Sequence, residues 1–310
     1  MAQTNKSPRT AHPTRRDFLK TSALAAGAAL GSAPFVNLHA QDTSRKFKAA
    51  LIGCGGRGNG AANDHLEAVK YLNEKLGWNL QVEFVASGDW FKGRAEGAGQ
   101  RYGVPKERCF GGGDCYKKVL EAGPDVVLMA QPPAFRPRHF EAVIQAGKHV
   151  FFEKPSAVDP PGVRRVIQAG EAAKQKGLCV AAGTQRRHEK GYNDQAREIK
   201  DGNTPRSKDP YEEVGYSPKG AYVSEHAHLL YAIVKGQPLN EAYNVATSTG
   251  TAILARESAY SGKRITWAEM FEDPNGKFYK LQLKPTAEDF ETGEIVLLKD
   301  GDIRIPGLPA

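Results

Sequence analysis

Between residues 47 and 182 the chain alternates short, continuous apolar runs with segments of helical period. The runs at 47–52, 81–86, 125–130, 149–153 and 178–182 predict strands, and the intervening segments 134–146 and 161–176 predict helices. Phe140, Val143, Ile144 and Gly147 lie along one side of the first of these helices. The strand runs do not alternate apolar with polar. Strands buried on both faces have that signature, so a parallel sheet covered by helices is expected over 45–185. Beyond Gly183 the pattern changes. Residues 190–201 predict one more helix, and 202–220, rich in Pro, Gly and charge, predict a linker. Two apolar-periodic helices follow, one marked by Tyr222, Val223, His226, Leu229 and Ile233, the next by Ala242, Val245, Ala246 and Ile253. Thr266 and Glu269 are spaced as a capping box opening a short third helix. Runs at 295–298 and 303–305 around Asp300-Gly301 predict a hairpin.

The first strand feeds directly into Gly53-Cys54-Gly55-Gly56-Arg57-Gly58 and then a helical segment. Gly53 permits a tight turn, Gly55 lets the backbone approach a pyrophosphate, and Gly58 lets the helix pack closely on the strand. A dinucleotide such as NAD or NADP is the expected ligand. Asp89, just past the second strand, is placed to bind ribose hydroxyls. It lies 31 residues after Gly58, against a usual spacing of about 20. The polar stretch 73–79, read as a lengthened helix end or loop, absorbs the difference. Asp89 argues for NAD, but Lys92 and Arg94 are close enough to accommodate a 2′-phosphate, so NADP stays open.

Glu153-Lys154-Pro155 ends a predicted strand, at the sheet edge where open parallel sheets bind ligands. Lys154 there can hydrogen-bond a substrate hydroxyl and stabilise developing negative charge. Gln131-Pro132-Pro133 follows the preceding strand and could wall a nicotinamide site. The candidate cofactor contacts are therefore Gly53, Gly55, Gly56, Arg57 and Gly58 of the turn, with Asp89, Gln131, Pro132, Glu153 and Lys154 around it.

At 310 residues, 40% hydrophobic and 25% charged, the composition is that of a globular chain long enough for two domains. Thr14-Arg15-Arg16-Asp17-Phe18-Leu19-Lys20, followed by a mildly apolar Ala/Gly-rich run to Val36, predicts a twin-arginine export signal over 1–40, cleaved before Gln41. The run is too short and too small-residue-rich for a stable membrane span. The expected location is periplasmic or otherwise exported, with the twin-arginine translocation machinery as a partner. A cofactor loaded in the cytoplasm would then have to be held tightly. Removing 1–40 removes Lys6, Arg9, Arg15, Arg16 and Lys20 against Asp17, lowering the formal charge from +8 to +4. No basic cluster interleaved with aromatics survives, which argues against nucleic acid. Cys54, Cys109, Cys115 and Cys179 show no metal-ligand spacing and read as small buried fillers; an oxidising compartment would permit a Cys109–Cys115 disulfide.

The glycine turn, the run Gly147-Lys148-His149-Val150-Phe151-Phe152-Glu153-Lys154-Pro155, and Gly183-Thr184-Gln185-Arg186-Arg187-His188 together resemble the Gfo/Idh/MocA oxidoreductases, in particular their twin-arginine-exported branch. The resemblance covers 47–201 and resumes over 222–267, where Glu225-His226, Pro238-Leu239-Asn240-Glu241 and Ala259-Tyr260-Ser261-Gly262-Lys263 also match. It implies an α/β fold: a Rossmann-type doubly wound parallel sheet over 45–187, then a C-terminal α+β substrate domain, here reduced to a mostly helical remnant over 188–310 with a linker at about 202–220. It also implies sugar- or polyol-like substrates, Lys154 as the active-site lysine, and Arg187 and His188 near cofactor or substrate.

Relatives place most of an open sheet and a catalytic Asp-x-x-x-His helix between the segments matching Asp201 and Tyr222. Here Asp209, Glu212 and Glu213 have no histidine at that spacing. His226 belongs to an apolar helix face and reads as a packed core histidine, and His226 and His228 point in different directions, a poor arrangement for a shared metal. A large part of the substrate domain is therefore expected to be missing, by deletion or by an error in the gene model. An uncovered surface, a homo-oligomer or a partner chain would follow. Three functions stay open: an exported NAD(P)-dependent oxidoreductase, an NAD-dependent glycosidase of the same superfamily, and a catalytically inactive nucleotide-binding module.

Overall fold

A computed structural model describes residues 43–202, 207–293 and 295. The export signal and the C-terminal hairpin fall outside the described residues. Six strands, β1 (Lys46–Ile52), β2 (Gln81–Asp89), β3 (Cys109–Gly111), β4 (Val126–Met129), β5 (His149–Phe152) and β6 (Val180–Ala182), form one sheet in the order β3-β2-β1-β4-β5-β6. Every pairing is parallel. The order reverses between β1 and β4, which opens a crevice at the carboxyl ends of the central strands.

The runs lack alternation because helices cover both faces. Ala49, Leu51, Val126, Leu128 and Phe151 pack into one core, and Ala50, Ile52, Val127, Met129 and Phe152 into the other. Helices α1 (Gly56–Leu76) and α2 (Lys92–Tyr102) cover the first face; α3 (Cys115–Glu121), α4 (Arg136–Gln145) and α5 (Pro160–Gln175) cover the second. Beyond α6 (Lys190–Asp201), the later helices complete these same layers. The helix α7 (Ala221–Lys235) lies on α1, and α8 (Ala242–Ser261) lies on α5. Residues 239–241 close the edge of β6, where Val180 N–H donates to Leu239 O at 2.8 Å and Glu241 N–H to Val180 O at 3.0 Å. An edge strand otherwise left open to pairing is thereby covered.

Several expectations change. The stretch 207–220 has no helix or strand, as expected of a linker, but it is packed: Val214 is buried, Tyr71 Oη donates to the Val214 carbonyl at 2.7 Å, and Arg197 pairs with Asp209 at 3.1 Å. The apolar and aromatic residues within it outweigh its polar composition. The third short helix is a single wide turn, Ala268–Glu272, stopped before Pro274 although the Thr266–Glu269 capping bonds form. Cys109 and Cys115 form no disulfide. All four cysteines are free and buried, and desolvation pushes the Cys115 thiol up to about 12 and that of Cys179 up to about 11. The long gap before Asp89 is explained by α1 running 21 residues and by β2 extending to Asp89 itself. Among the described residues no helix is long and apolar enough to cross a membrane.

Candidate functional site: a dinucleotide-sized cleft at the carboxyl edge

The three glycines of the turn do different physical work. Gly53 has φ +89°, and a Cβ there would lie 2.3 Å from the Gln131 backbone nitrogen. A Cβ at Gly58 would lie 1.8 Å from the Gly53 carbonyl oxygen. These two glycines are needed by the fold. Gly55 differs, because nothing lies within 4 Å of where its Cβ would be. The open space sits at the start of α1, whose first turn has neither a side-chain cap nor an acidic residue. Free N–H groups and the helix dipole there suit an anionic group such as a pyrophosphate.

Two adjoining cavities, of about 260 and 390 Å³, run along the sheet edge on either side of Gly53. Asp89, Arg94, Gln131 and Pro132 line both. The larger also takes in Gly55, Arg57, Glu153, Lys154, Gln185 and Tyr222. The structure thus brings eight of the predicted residues to one cleft: Gly53, Gly55, Arg57, Asp89, Gln131, Pro132, Glu153 and Lys154. Gly56 and Gly58 belong to the first turn of α1 and line neither cavity, Gly56 being exposed and Gly58 buried. Lys154 is exposed, whereas Gln131 is buried with its Oε1 lacking a partner among the described residues. An unsatisfied buried acceptor facing a cleft is what a polar ligand would relieve. Open space at Gly55, free helix N–H groups and this acceptor together fit a dinucleotide.

The acid and the base expected to touch cofactor also hold the site together. Asp89 Oδ2 accepts from the Cys54 N–H at 2.7 Å and Oδ1 from the Phe91 N–H at 2.9 Å, tying the glycine turn to the end of β2. Arg57 donates from Nε to Glu153 at 2.5 Å and from Nη2 to Asp64 at 3.2 Å, with its guanidinium 4.7 Å from the centre of the Tyr222 ring. A third carboxyl, Glu225 on α7, is 4.0 Å from Arg57, has no exposed surface, and neither of its oxygens has a hydrogen-bond partner among the described residues. Burial first, and then the charge on Glu153, push its pKa up to about 10, so Glu225 is neutral at physiological pH.

Arg187 and His188 do not join this cleft. Arg187 is exposed, and its carbonyl accepts from Asn193. His188 is fully buried, with Nδ1 2.8 Å from Nδ1 of His228 and Nε2 3.4 Å from Glu241. Basic residues at a turn gave no signal that the histidine would be drawn inward by these partners. His226 is the core histidine its helix face predicts, 3.2 Å from His65, and burial holds His65 down at about 4. His228 stacks on Tyr211, 3.6 Å between ring centres, so the two α7 histidines do diverge.

Sequence reasoning missed Arg136. It is buried and donates to the carbonyls of Pro155 and Gln131, fixing the loops after β4 and β5 against each other. An arginine in the first turn of a helix after a sheet-edge Pro-Pro was the available signal.

The sequence model of the family described as an oxidoreductase family with an NAD-binding Rossmann fold, Gfo/Idh/MocA, matches residues 47–184. Residues 47–184 are thus similar to the NAD-binding domain of that family. The match ends at the turn after β6, so it contains the glycine turn, Asp89, Gln131 and Lys154. Inositol 2-dehydrogenase of Paracoccus denitrificans is 32% identical over 146 residues, covering 47% of this chain and 39% of that protein. The enzyme of the same name from Salmonella typhimurium is 31% identical with the same coverage. The chain therefore spans about two fifths of these relatives' length. A solved 3-ketoreductase from Actinomadura kijaniata, in complex with NADP, aligns with a TM-score of 0.38 at 22% identity, over 51% of this chain and 45% of that one.

Proposed function

We propose that the chain is an exported oxidoreductase that uses NAD or NADP to oxidise or reduce a sugar- or polyol-like substrate. The observation that carries this reading is the cleft itself, in which an exposed Lys154 and the open seat at Gly55 line the same cavity. The cofactor, when bound, supplies the acceptor or donor of hydride. Gly55 and the first turn of α1 would hold its pyrophosphate and Asp89 its ribose. The Lys154 ammonium orients the reacting oxygen of the substrate and stabilises negative charge on it. Gln131, held by Arg136 at its backbone, offers a fixed acceptor beside it.

Arg94 lines both cavities, whereas Lys92 is drawn toward Glu96 at 3.9 Å, so a 2′-phosphate would meet Arg94. NAD is the preferred cofactor because Asp89 is buried between the same two cavities. The relatives named inositol 2-dehydrogenase support a polyol substrate. The paired arginines at 15–16 support export and tight retention of cofactor.

The experiment is a panel of polyols, sugars and sugar derivatives offered to the purified protein with NAD or NADP, following reduced nicotinamide by its absorbance. Turnover of at least one, abolished by Lys154→Ala without loss of cofactor affinity, supports the reading. Cofactor binding without turnover on any substrate would replace it with an inactive nucleotide-binding module.

A further inference from the structure

The smaller cavity is aromatic, and one of its walls comes from far outside the family-matched segment. Trp90 follows β2, Phe135 immediately precedes α4, and Phe290 belongs to the short helix α9 (Ala287–Thr292). The Phe290 ring meets Trp90 edge-on, 5.3 Å between centres, and Phe135 at 4.9 Å. Nothing in the glycine pattern or the strand order requires α9 to be there. A six-residue helix is not stable alone, and α9 is moored instead by charge and by its cap. Arg138 bonds Glu288 and Glu291, each at 2.8 Å, Arg165 reaches Glu288 at 3.4 Å, and Thr286 and Asp289 form a capping box. The cap satisfies the helix start, and the ion pairs hold the one face of α9 that places Phe290 over the cavity.

We propose that Phe290 is the outer wall of the pocket for the cofactor's nucleobase, which makes α9 a nucleotide-binding element of this chain. The inference rests on the cofactor reading above. An apolar cavity walled by aromatic rings, with Asp89 and Arg94 also in its lining, suits a planar heterocycle attached to a ribose. Stacking of this kind adds affinity with little geometric demand on the base. No residue of α9 lines the larger cavity, where Lys154 stands, so the effect is expected to be confined to the adenosine half of the ligand.

The test is titration of the purified protein with NADH, with AMP and with nicotinamide mononucleotide, comparing wild type, Phe290→Ala and Phe290→Tyr. Phe290 is only partly buried, and the melting temperature of each variant is read alongside to establish that it is folded. The expected result is that Phe290→Ala weakens NADH and AMP in parallel by roughly tenfold, the scale of one base–aromatic contact, leaves nicotinamide mononucleotide unchanged, and is rescued by Phe290→Tyr. Wild-type affinity for AMP in folded Phe290→Ala would overturn the inference and leave the cofactor reading standing. Failure of the wild type to bind NADH and AMP at all would overturn both.

Discussion

Replacing Glu225 by glutamine should make the protein's stability less dependent on pH, by an amount the structure sets. The carboxyl is buried, neither oxygen has a hydrogen-bond partner among the described residues, and Arg57, its nearest cation, is already shared with Glu153 and Asp64. With its pKa pushed up to about 10, it keeps its proton in the folded state, whereas in the unfolded chain it ionises near 4.3. Because the folded state binds the extra proton, this group's contribution is complete below the unfolded value and is lost as pH rises toward the folded one. The loss is about 1.4 kcal/mol per pH unit. From about pH 6 to pH 8 it amounts to about 2.7 kcal/mol. Glutamine has nearly the shape of the neutral acid and nothing to ionise. Urea unfolding of both proteins at the two pH values should show the variant gaining about 2.7 kcal/mol on the wild type between them. A difference that stays constant with pH would mean that Glu225 is ionised in the folded protein, and the reasoning about its burial would be wrong.

Gly53→Ala should destabilise the fold by about 2–5 kcal/mol, since the new Cβ meets backbone at a positive φ; a melting temperature equal to wild type would refute this. Lys154→Ala should lower kcat by about 10²–10⁴-fold while the Kd for NADH, measured by its fluorescence, moves by no more than a few-fold. Arg136→Ala should cost about 2–4 kcal/mol in urea unfolding, because the Gln131 carbonyl loses its donor in a buried setting and the Pro155 carbonyl loses its donor in a half-buried one.

The parts of this structure that local patterning dictates were legible in the sequence. Continuous apolar runs gave β1, β2, β4, β5 and β6, and their lack of alternation gave a sheet covered on both faces. The glycine turn gave the cofactor edge, and the strand ends placed Asp89, Gln131, Glu153 and Lys154 around it. The elements that escaped notice owe their existence to close packing. In α2, Gly93, Gly97 and Gly99 depress helix propensity, yet a Cβ at Gly99 would lie 2.3 Å from the Cys109 sulfur, so the helix keeps its glycine to sit against β3. The capping box that starts α9 was present in the sequence, but a six-residue helix has too short a period to announce itself. Partnerships across the fold were the least legible. The Arg57–Glu153 pair spans 96 residues, the His188–His228 contact 40, and the cover Phe290 gives to Trp90 and Phe135 depends on the whole chain between them.

The central claim is that the open space at Gly55 is the seat of a dinucleotide. Titration of NADH into the purified wild type and Gly55→Ala, with melting curves of both, tests it most directly. A Cβ at this position touches no protein atom within 4 Å, and its backbone has φ −76°, which alanine adopts freely. The account predicts saturable binding to the wild type and equal melting temperatures, with affinity in the variant lowered at least about tenfold, since the methyl occupies the space a pyrophosphate needs. Equal NADH affinity in the two proteins, or no binding to the wild type, would contradict it.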